Sequence, residues 1–348
     1  MNVIKLGRIA CSIAAVGAFG AALALQLGVA QAQEKTYVMK ISAPTVHDVP
    51  DTFGAMFGAA VEKDSGGRIK AEVYPASQLG SIPRQIEGTQ FGSIQCSVIP
   101  PEFFVGVDER FEVMAAPGLV DSMAHGQRVA ADPAVIKLML SLGANKGLHG
   151  VALMMAEPSD VISKTPIRRL ADFKGKKLRT FASKFQSEAW NRLGVAPIAM
   201  TLGDVLPAFQ QGTIDGAVAG VGPFVHLHFI DVSKYITMIG QPAIFLVAEV
   251  NKKWYDSLPP DLQKIIDKDA AEQSIAIRSV ATDLHNKSEA AWLAAGGEQI
   301  NLPPDEQAAM MKTLSSVGAD VSKTDPELAA AYKIVADAAA RTRQKPSQ

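Results

Sequence analysis

The chain has 348 residues, with 34 Lys and Arg against 35 Asp and Glu, and is 48% hydrophobic and 20% charged. That balance excludes a disordered chain and fits a globular protein about two domains long with a sizeable core. A net charge of −1 without a long basic run excludes a binder that holds nucleic acid through its phosphates, and two cysteines exclude a disulfide framework or a four-cysteine zinc site.

Residues 1–32 read as a secretory signal. Lys5 and Arg8 supply the positive start, an apolar stretch follows over residues 9–29, and Ala30-Gln31-Ala32 gives the small-x-small cleavage pattern. The stretch also approaches the length of a spanning helix. Gln26 and several glycines interrupt it, however, and the small-x-small site follows at once, which favours cleavage. Cys11 is not in a lipoprotein setting, because Arg8 precedes it and the apolar run follows it. Cleavage leaves 32 cations against 35 anions and one cysteine, Cys96, in an apolar strand pattern. A lone buried thiol suits an exported protein that needs no disulfide.

Residues 37–43 alternate as a strand, and a turn around His47 follows. Phe53, Met56, Phe57, Ala60 and Val61 share one helical face, which Ser65-Gly66-Gly67 ends. A strand over 69–74, a helix over 81–91 with Pro83 in its first turn, and a strand over 95–99 complete the order of a parallel α/β sheet. A helix over 133–145 and a strand over 149–154 extend it. The same order then recurs: strand 177–181, helix 187–193 ended by Gly194, strand 197–200, helix 204–211 and strand 214–218. Gln90-Phe91-Gly92-Ser93-Ile94-Gln95 corresponds to Gln210-Gln211-Gly212-Thr213-Ile214-Asp215, each a helix end, a glycine cap and a strand start. Strands follow over 235–239 and 243–251, the second returning the chain to the first domain. From Pro259-Pro260 a helix runs to about residue 295 without an internal proline or glycine. Its 36 residues span roughly 54 Å, enough to brace two domains. The tail over 303–343 is Ala-rich and helical, broken near residues 322–326. No low-complexity linker separates the halves, which implies strands crossing between them.

The common enzyme signatures are missing: no GxxxxGK[ST] loop, HExxH helix, GxSxG elbow or GxGxxG after the first strand occurs. His226-Leu227-His228, on a strand, places two imidazoles on one side with Asp231 close by; it reads as a weak metal site or as polar residues of a loop. Cys96 in its apolar run reads as inert. His47 lies where α/β sheets carry ligands, beyond the carboxyl end of a strand, and is either a ligand contact or a surface turn residue. Arg179 is the most informative charge, because it sits in a strand expected to be half buried. A buried guanidinium needs an anionic or hydrogen-bonding partner, either an internal Asp or Glu or a ligand carboxylate.

The sequence resembles the solute-binding proteins of tripartite ATP-independent periplasmic (TRAP) transporters over roughly residues 37–295. The resemblance is carried by Ser65-Gly66-Gly67-Arg68-Ile69 leading to Val73-Tyr74-Pro75 and Ser77-Gln78-Leu79-Gly80, then Ile86-Glu87-Gly88. It continues through Ser163-Lys164, Pro166-Ile167-Arg168, and the run from Asp172-Phe173-Lys174-Gly175 to Leu178-Arg179. Gly212-Thr213-Ile214-Asp215-Gly216, Lys234-Tyr235 and Trp254-Tyr255-Asp256-Ser257-Leu258-Pro259 complete it; their order and spacing together are specific.

The resemblance implies two similar α/β domains around a ligand cleft, joined by crossing strands and braced by a long helix. The expected boundaries are 34–157 with about 246–280 for the first domain and 158–245 with about 281–345 for the second. It implies a monomeric periplasmic protein without cofactor, metal or catalysis, which hands an organic acid to membrane permease subunits. A ligand-binding partner of a periplasmic sensor, or a periplasmic metal-dependent enzyme, are the alternative readings. Arg179 matches the family arginine that pairs with the ligand carboxylate. Two departures stand out: Glu157-Pro158-Ser159-Asp160 where many members carry a second arginine, and Ala217-Val218-Ala219 where members often have Gln-Glu-Asn. Both remove groups that would meet a dicarboxylic or hydroxylated ligand. Phe224 and Phe103-Phe104 after Pro100-Pro101 are either core residues or an apolar cleft wall, and they lean the reading towards an apolar or aromatic monocarboxylate. The candidate ligand-binding residues are thus Arg179, His47, Pro100, Phe103, Ser159, Phe181, Ala219 and Phe224.

Overall fold

The computed structural model describes residues 35–344, so the signal segment expected over residues 1–32 lies outside the described residues. Two sheets organise the chain. The first has strand order β2-β1-β3-β10-β4, from Ile69–Tyr74 (β2), Tyr37–Ser42 (β1), Cys96–Ile99 (β3), Ala243–Asn251 (β10) and Leu148–Pro158 (β4). The second has order β11-β9-β5-β8-β6-β7, from Glu298–Asn301 (β11), Tyr235–Met238 (β9), Asp160–Ser163 (β5), Gly216–Ala219 (β8), Lys177–Thr180 (β6) and Ala196–Ala199 (β7). The fold is a two-domain mixed α/β architecture, one sheet to each domain.

Both sheets are mixed, where the element order alone suggested parallel pairing. β1 and β3 run parallel, with Ile41 opposite Cys96, but β10 lies antiparallel between β3 and β4. In the second sheet β6 is parallel to β7 and β8, while β5 is antiparallel to β8 and β9. The reason is the crossing itself. β5 and β10 are the strands by which the chain changes sheet, and each runs against both of its neighbours in the sheet it enters. Only Ser159 separates β4 from β5, which makes the first crossing as short as a chain allows.

The repeated junction seen in the sequence has the same geometry in both halves. Gly92 and Gly212 each cap a helix in the left-handed region, at φ 90° and 78°, where a side chain would be strained. The long helix is Pro260–Ala294, 35 residues. It packs against β4 and the helix Val49–Asp64 on one side and against the helix Val221–His226 and β11 on the other.

Three expectations are corrected. The strand through His226-Leu227-His228 is the end of the helix Val221–His226, with His228 left-handed at φ 57°. Pro223 stands in the first turn of that helix, where the missing N–H costs nothing. The tail is broken twice, into Pro304–Leu314, Val317–Ser322 and Pro326–Thr342. Its final helix, grouped above with the second domain, buries Leu328, Ala331, Val335 and Ala338 in a cluster with Ile99, Leu153 and Phe245 of the first sheet. A small apolar face of this kind fits either core, and nothing in its spacing says which. No helix among the described residues is long and apolar enough to cross a membrane.

Candidate functional site

The ends of β1, β3, β6 and β8 lead into one narrow cleft, as expected for ligand sites beyond the carboxyl ends of α/β strands. It encloses about 50 Å³. Thr45, Asp48, Ile82, Pro100 and Phe103 come from the first half, and Arg179, Phe181, Leu202, Ala219, Gly220 and Pro223 from the second. The crossing strands add Ala156 and Glu157 from β4 and Ile244 and Leu246 from β10. Most of this wall is aliphatic or aromatic.

Arg179 is 1% exposed. Its Nε donates to the Met200 carbonyl at 2.9 Å and its Nη1 to the Val218 carbonyl at 2.9 Å. Val218 lies in β8 and Met200 directly follows β7, the two strands flanking β6, so the sheet and its edge fix the guanidinium plane. Its Nη2 donates to no described residue, and no Asp or Glu among the described residues lies within 4.0 Å of it. Burial alone pulls its pKa down to about 9, the mark of a cation held away from both water and counter-ion. The guanidinium carbon stands 4.7 Å from the centre of the Phe181 ring, and Phe181 lies 5.5 Å from Phe103. That chain of contacts joins the two halves across the cleft.

Glu157 closes another part of the wall. Its Oε2 accepts from Gly222 N at 3.2 Å and lies 3.5 Å from His285 Nδ1 on the long helix. Burial works against the charged His285 ring, but Glu157, Glu289 and Asp160 outweigh it and hold the imidazole above its ordinary pKa. Gly220 makes this arrangement possible: a Cβ there would lie 1.9 Å from the Glu157 carboxyl carbon. Gly220→Ala is therefore expected to destabilise the fold by about 1–3 kcal/mol through overpacking. In a Glu157→Ala background the same substitution should cost much less, a coupling that thermal unfolding of the four proteins measures.

Asp48 precedes the helix Val49–Asp64 and is 6% exposed, as is Thr45. Asp48 Oδ1 and Thr45 Oγ1 have no hydrogen-bond partner among the described residues. The two side chains are neighbours without being set for a bond to each other. Burial pushes the Asp48 carboxyl up to about 8, against the opposing pull of the nearby Thr45 hydroxyl and with the help of the Glu157 charge.

Of the eight residues singled out in the sequence, Arg179, Pro100, Phe103, Phe181 and Ala219 meet in this cleft. Three do not line it. Phe224 packs edge-on to Phe229, 5.4 Å away, within the core of the second domain. Ser159 is buried at the crossing, where its hydroxyl donates to the Pro242 carbonyl. His47 is exposed and left-handed at φ 59°, with its ring 5.7 Å from His226. Among the described residues no group of three or more His, Cys, Asp or Glu is placed to hold a metal. The sequence reading missed Thr45, Asp48, Glu157 and Gly220 as wall residues. Asp48 stood one residue from His47 in the turn already marked, and Glu157 stood at the first departure from the family pattern.

The model of the bacterial extracellular solute-binding protein family 7 (DctP) matches residues 39–324. The C4-dicarboxylate-binding periplasmic protein DctP of Rhodobacter capsulatus is 29% identical over 308 residues, 87% of this chain and 91% of that one. Among solved structures, a TRAP periplasmic solute-binding protein from Desulfovibrio salexigens with bound orotic acid superposes with a TM-score of 0.80 at 23% identity, covering 88% of this chain and 100% of that one. The sugar acid binding protein DctPAm from Advenella mimigardefordensis, in complex with galactonate, gives a TM-score of 0.83 at 20% identity, with 89% and 99% covered.

Proposed function

This chain belongs to the bacterial extracellular solute-binding protein family 7, the solute-binding proteins of TRAP transporters, and from that premise we propose how it works. It captures a monocarboxylate with an apolar or aromatic body and delivers it to the membrane permease subunits, without turnover. Export through a signal segment over residues 1–32 and action in the periplasm are part of the same proposal. So are the domain limits near residues 157, 245 and 280, with the helix Pro326–Thr342 returning to the first domain.

The observation that carries the reading is Arg179: a fully buried guanidinium with no acidic partner among the described residues, facing a mostly apolar cleft. A ligand carboxylate supplies the missing counter-ion, and the remaining N–H groups offer it charge-assisted hydrogen bonds. Phe103, Phe181, Ile244 and Leu246 supply the surface for an apolar body. The relatives bind chemically varied acids, a C4-dicarboxylate, orotic acid and galactonate among them, so the wall, not the anchor, sets the choice.

Competition calorimetry tests it. Phenylacetate or 3-methylbutanoate should bind at least tenfold more tightly than succinate or galactonate. Tighter binding of succinate or galactonate would overturn the ligand class and leave family membership untouched.

A further inference from the structure

Resting on the reading of Arg179 as the carboxylate anchor, we propose that Glu157 and Asp48 form a second recognition pole of the same cleft. The ligand is then a monocarboxylate that also carries a hydrogen-bond donor, a hydroxyl or an amine, away from its carboxylate. A second carboxylate is rejected there.

Both acidic residues line the cleft that Arg179 lines, yet neither lies within 4.0 Å of the guanidinium, so the poles are distinct. Asp48 is 6% exposed and its Oδ1 finds no partner among the described residues; the Thr45 hydroxyl beside it is equally buried and equally unpartnered. Buried polar atoms in folded proteins are almost always paired, and an unpaired one in a ligand cleft marks where a ligand group belongs. Glu157 is 8% exposed, and only its Oε2 is engaged, by Gly222 N and by the nearby His285 ring. Gly220 is bare so that this carboxyl can pack against the backbone, which fixes its position.

The chemistry of the pole follows. An ionised carboxylate only accepts hydrogen bonds, so the partner it selects is a donor. A second ligand carboxylate would set an anion against the Glu157 carboxylate in a desolvated wall and could offer it no donor. At neutral pH the buried Asp48 carboxyl keeps its proton, which lets it both give and take a hydrogen bond. A hydroxyl matches that pair of roles, while an amine, already an ammonium at neutral pH, only donates and would have Asp48 release its proton to solvent. In either case Glu157 supplies the second acceptor.

Four-carbon acids isolate the terminal group: butanoate, 4-hydroxybutanoate, 4-aminobutanoate and succinate, titrated calorimetrically into the wild-type protein, Glu157→Gln and Asp48→Asn. At least one donor acid should bind wild type at least tenfold more tightly than butanoate, with succinate weaker than both donor acids, and which donor acid wins assigns the group. Each substitution should narrow the advantage over butanoate to less than threefold. The proposal is overturned if butanoate binds as tightly as both donor acids, if succinate binds most tightly, if both variants keep the full advantage, or if none of the four binds at 10 mM. Failure of the underlying anchor has its own signature: butanamide binding as tightly as butanoate, or Arg179→Ala leaving butanoate affinity unchanged.

Discussion

Arg179→Ala is expected to weaken binding of the tightest organic acid by about 30-fold to several-thousand-fold, the equivalent of roughly 2–5 kcal/mol. The guanidinium is buried and held in plane by the Met200 and Val218 carbonyls, so its free N–H groups are already aimed before a ligand arrives. Water in a narrow apolar cleft does not replace them. Arg179→Lys should recover only part of the loss, because an ammonium on a flexible stem cannot reproduce two parallel hydrogen bonds. Stability should move the other way or hardly at all. In Arg179→Met the side chain still fills space, two carbonyls each lose a hydrogen bond worth about 1 kcal/mol, and an uncompensated buried cation disappears. Burial that pulls a guanidinium down to about 9 shows how costly that cation is in the ligand-free fold. A melting temperature near or above wild type, together with lost calorimetric binding, is the expected pair of results. A role in the fold alone gives the reverse: a marked fall in melting temperature with affinity intact.

Glu102→Gln is expected to stabilise the protein at pH 8 by about 2–4 kcal/mol and to have little effect below pH 4.5. Glu102 is fully buried beside the cleft residue Phe103, and neither carboxyl oxygen has a partner among the described residues. Burial, with a smaller contribution from the Glu112 charge, raises its pKa from 4.5 to about 8. The sign follows from linkage. Below pH 4.5 the carboxyl is protonated in both folded and unfolded chains and contributes no difference. Between pH 4.5 and 8 the unfolded chain has released a proton that the folded chain still holds, so stability falls as pH rises, by up to about 1.4 kcal/mol per unit. The amide removes that dependence, with roughly 3–6 °C gained in melting temperature at pH 8. Asp48, raised to about 8, and Glu249, raised well above its ordinary value by burial, keep part of the slope in the variant. Glu112 and the Lys184 backbone N–H that it accepts face the same region and are unchanged by the substitution. Equal melting temperatures for wild type and variant across pH 5–8 would remove the argument.

The sequence by itself determined whatever is written in local period and punctuation. Alternation and helical spacing placed most strands within a residue or two, and the stretch from Pro259 without internal glycine or proline became the helix Pro260–Ala294. Glycines after Phe91 and Gln211 marked two caps because only a residue without Cβ takes φ near 80–90° cheaply. Arg179 was legible for a related reason: a guanidinium amid Leu178, Thr180 and Phe181 breaks the polarity of a buried strand, and such a break needs a chemical cause. The tertiary structure decided what depends on residues far apart in the chain. It fixed the direction of β5 and β10, since the pleat pattern of a strand is the same whichever way its neighbours run. It separated Phe103 and Phe181, which meet across the cleft, from Phe224, which lies in a core, because an aromatic ring is equally apolar in either place. It brought Asp48, Glu157, Gly220 and Arg179, spread over more than 170 residues of sequence, onto one wall. No local pattern carries that information, because a carboxylate's surroundings, and hence its charge state, are set by the elements that fold around it.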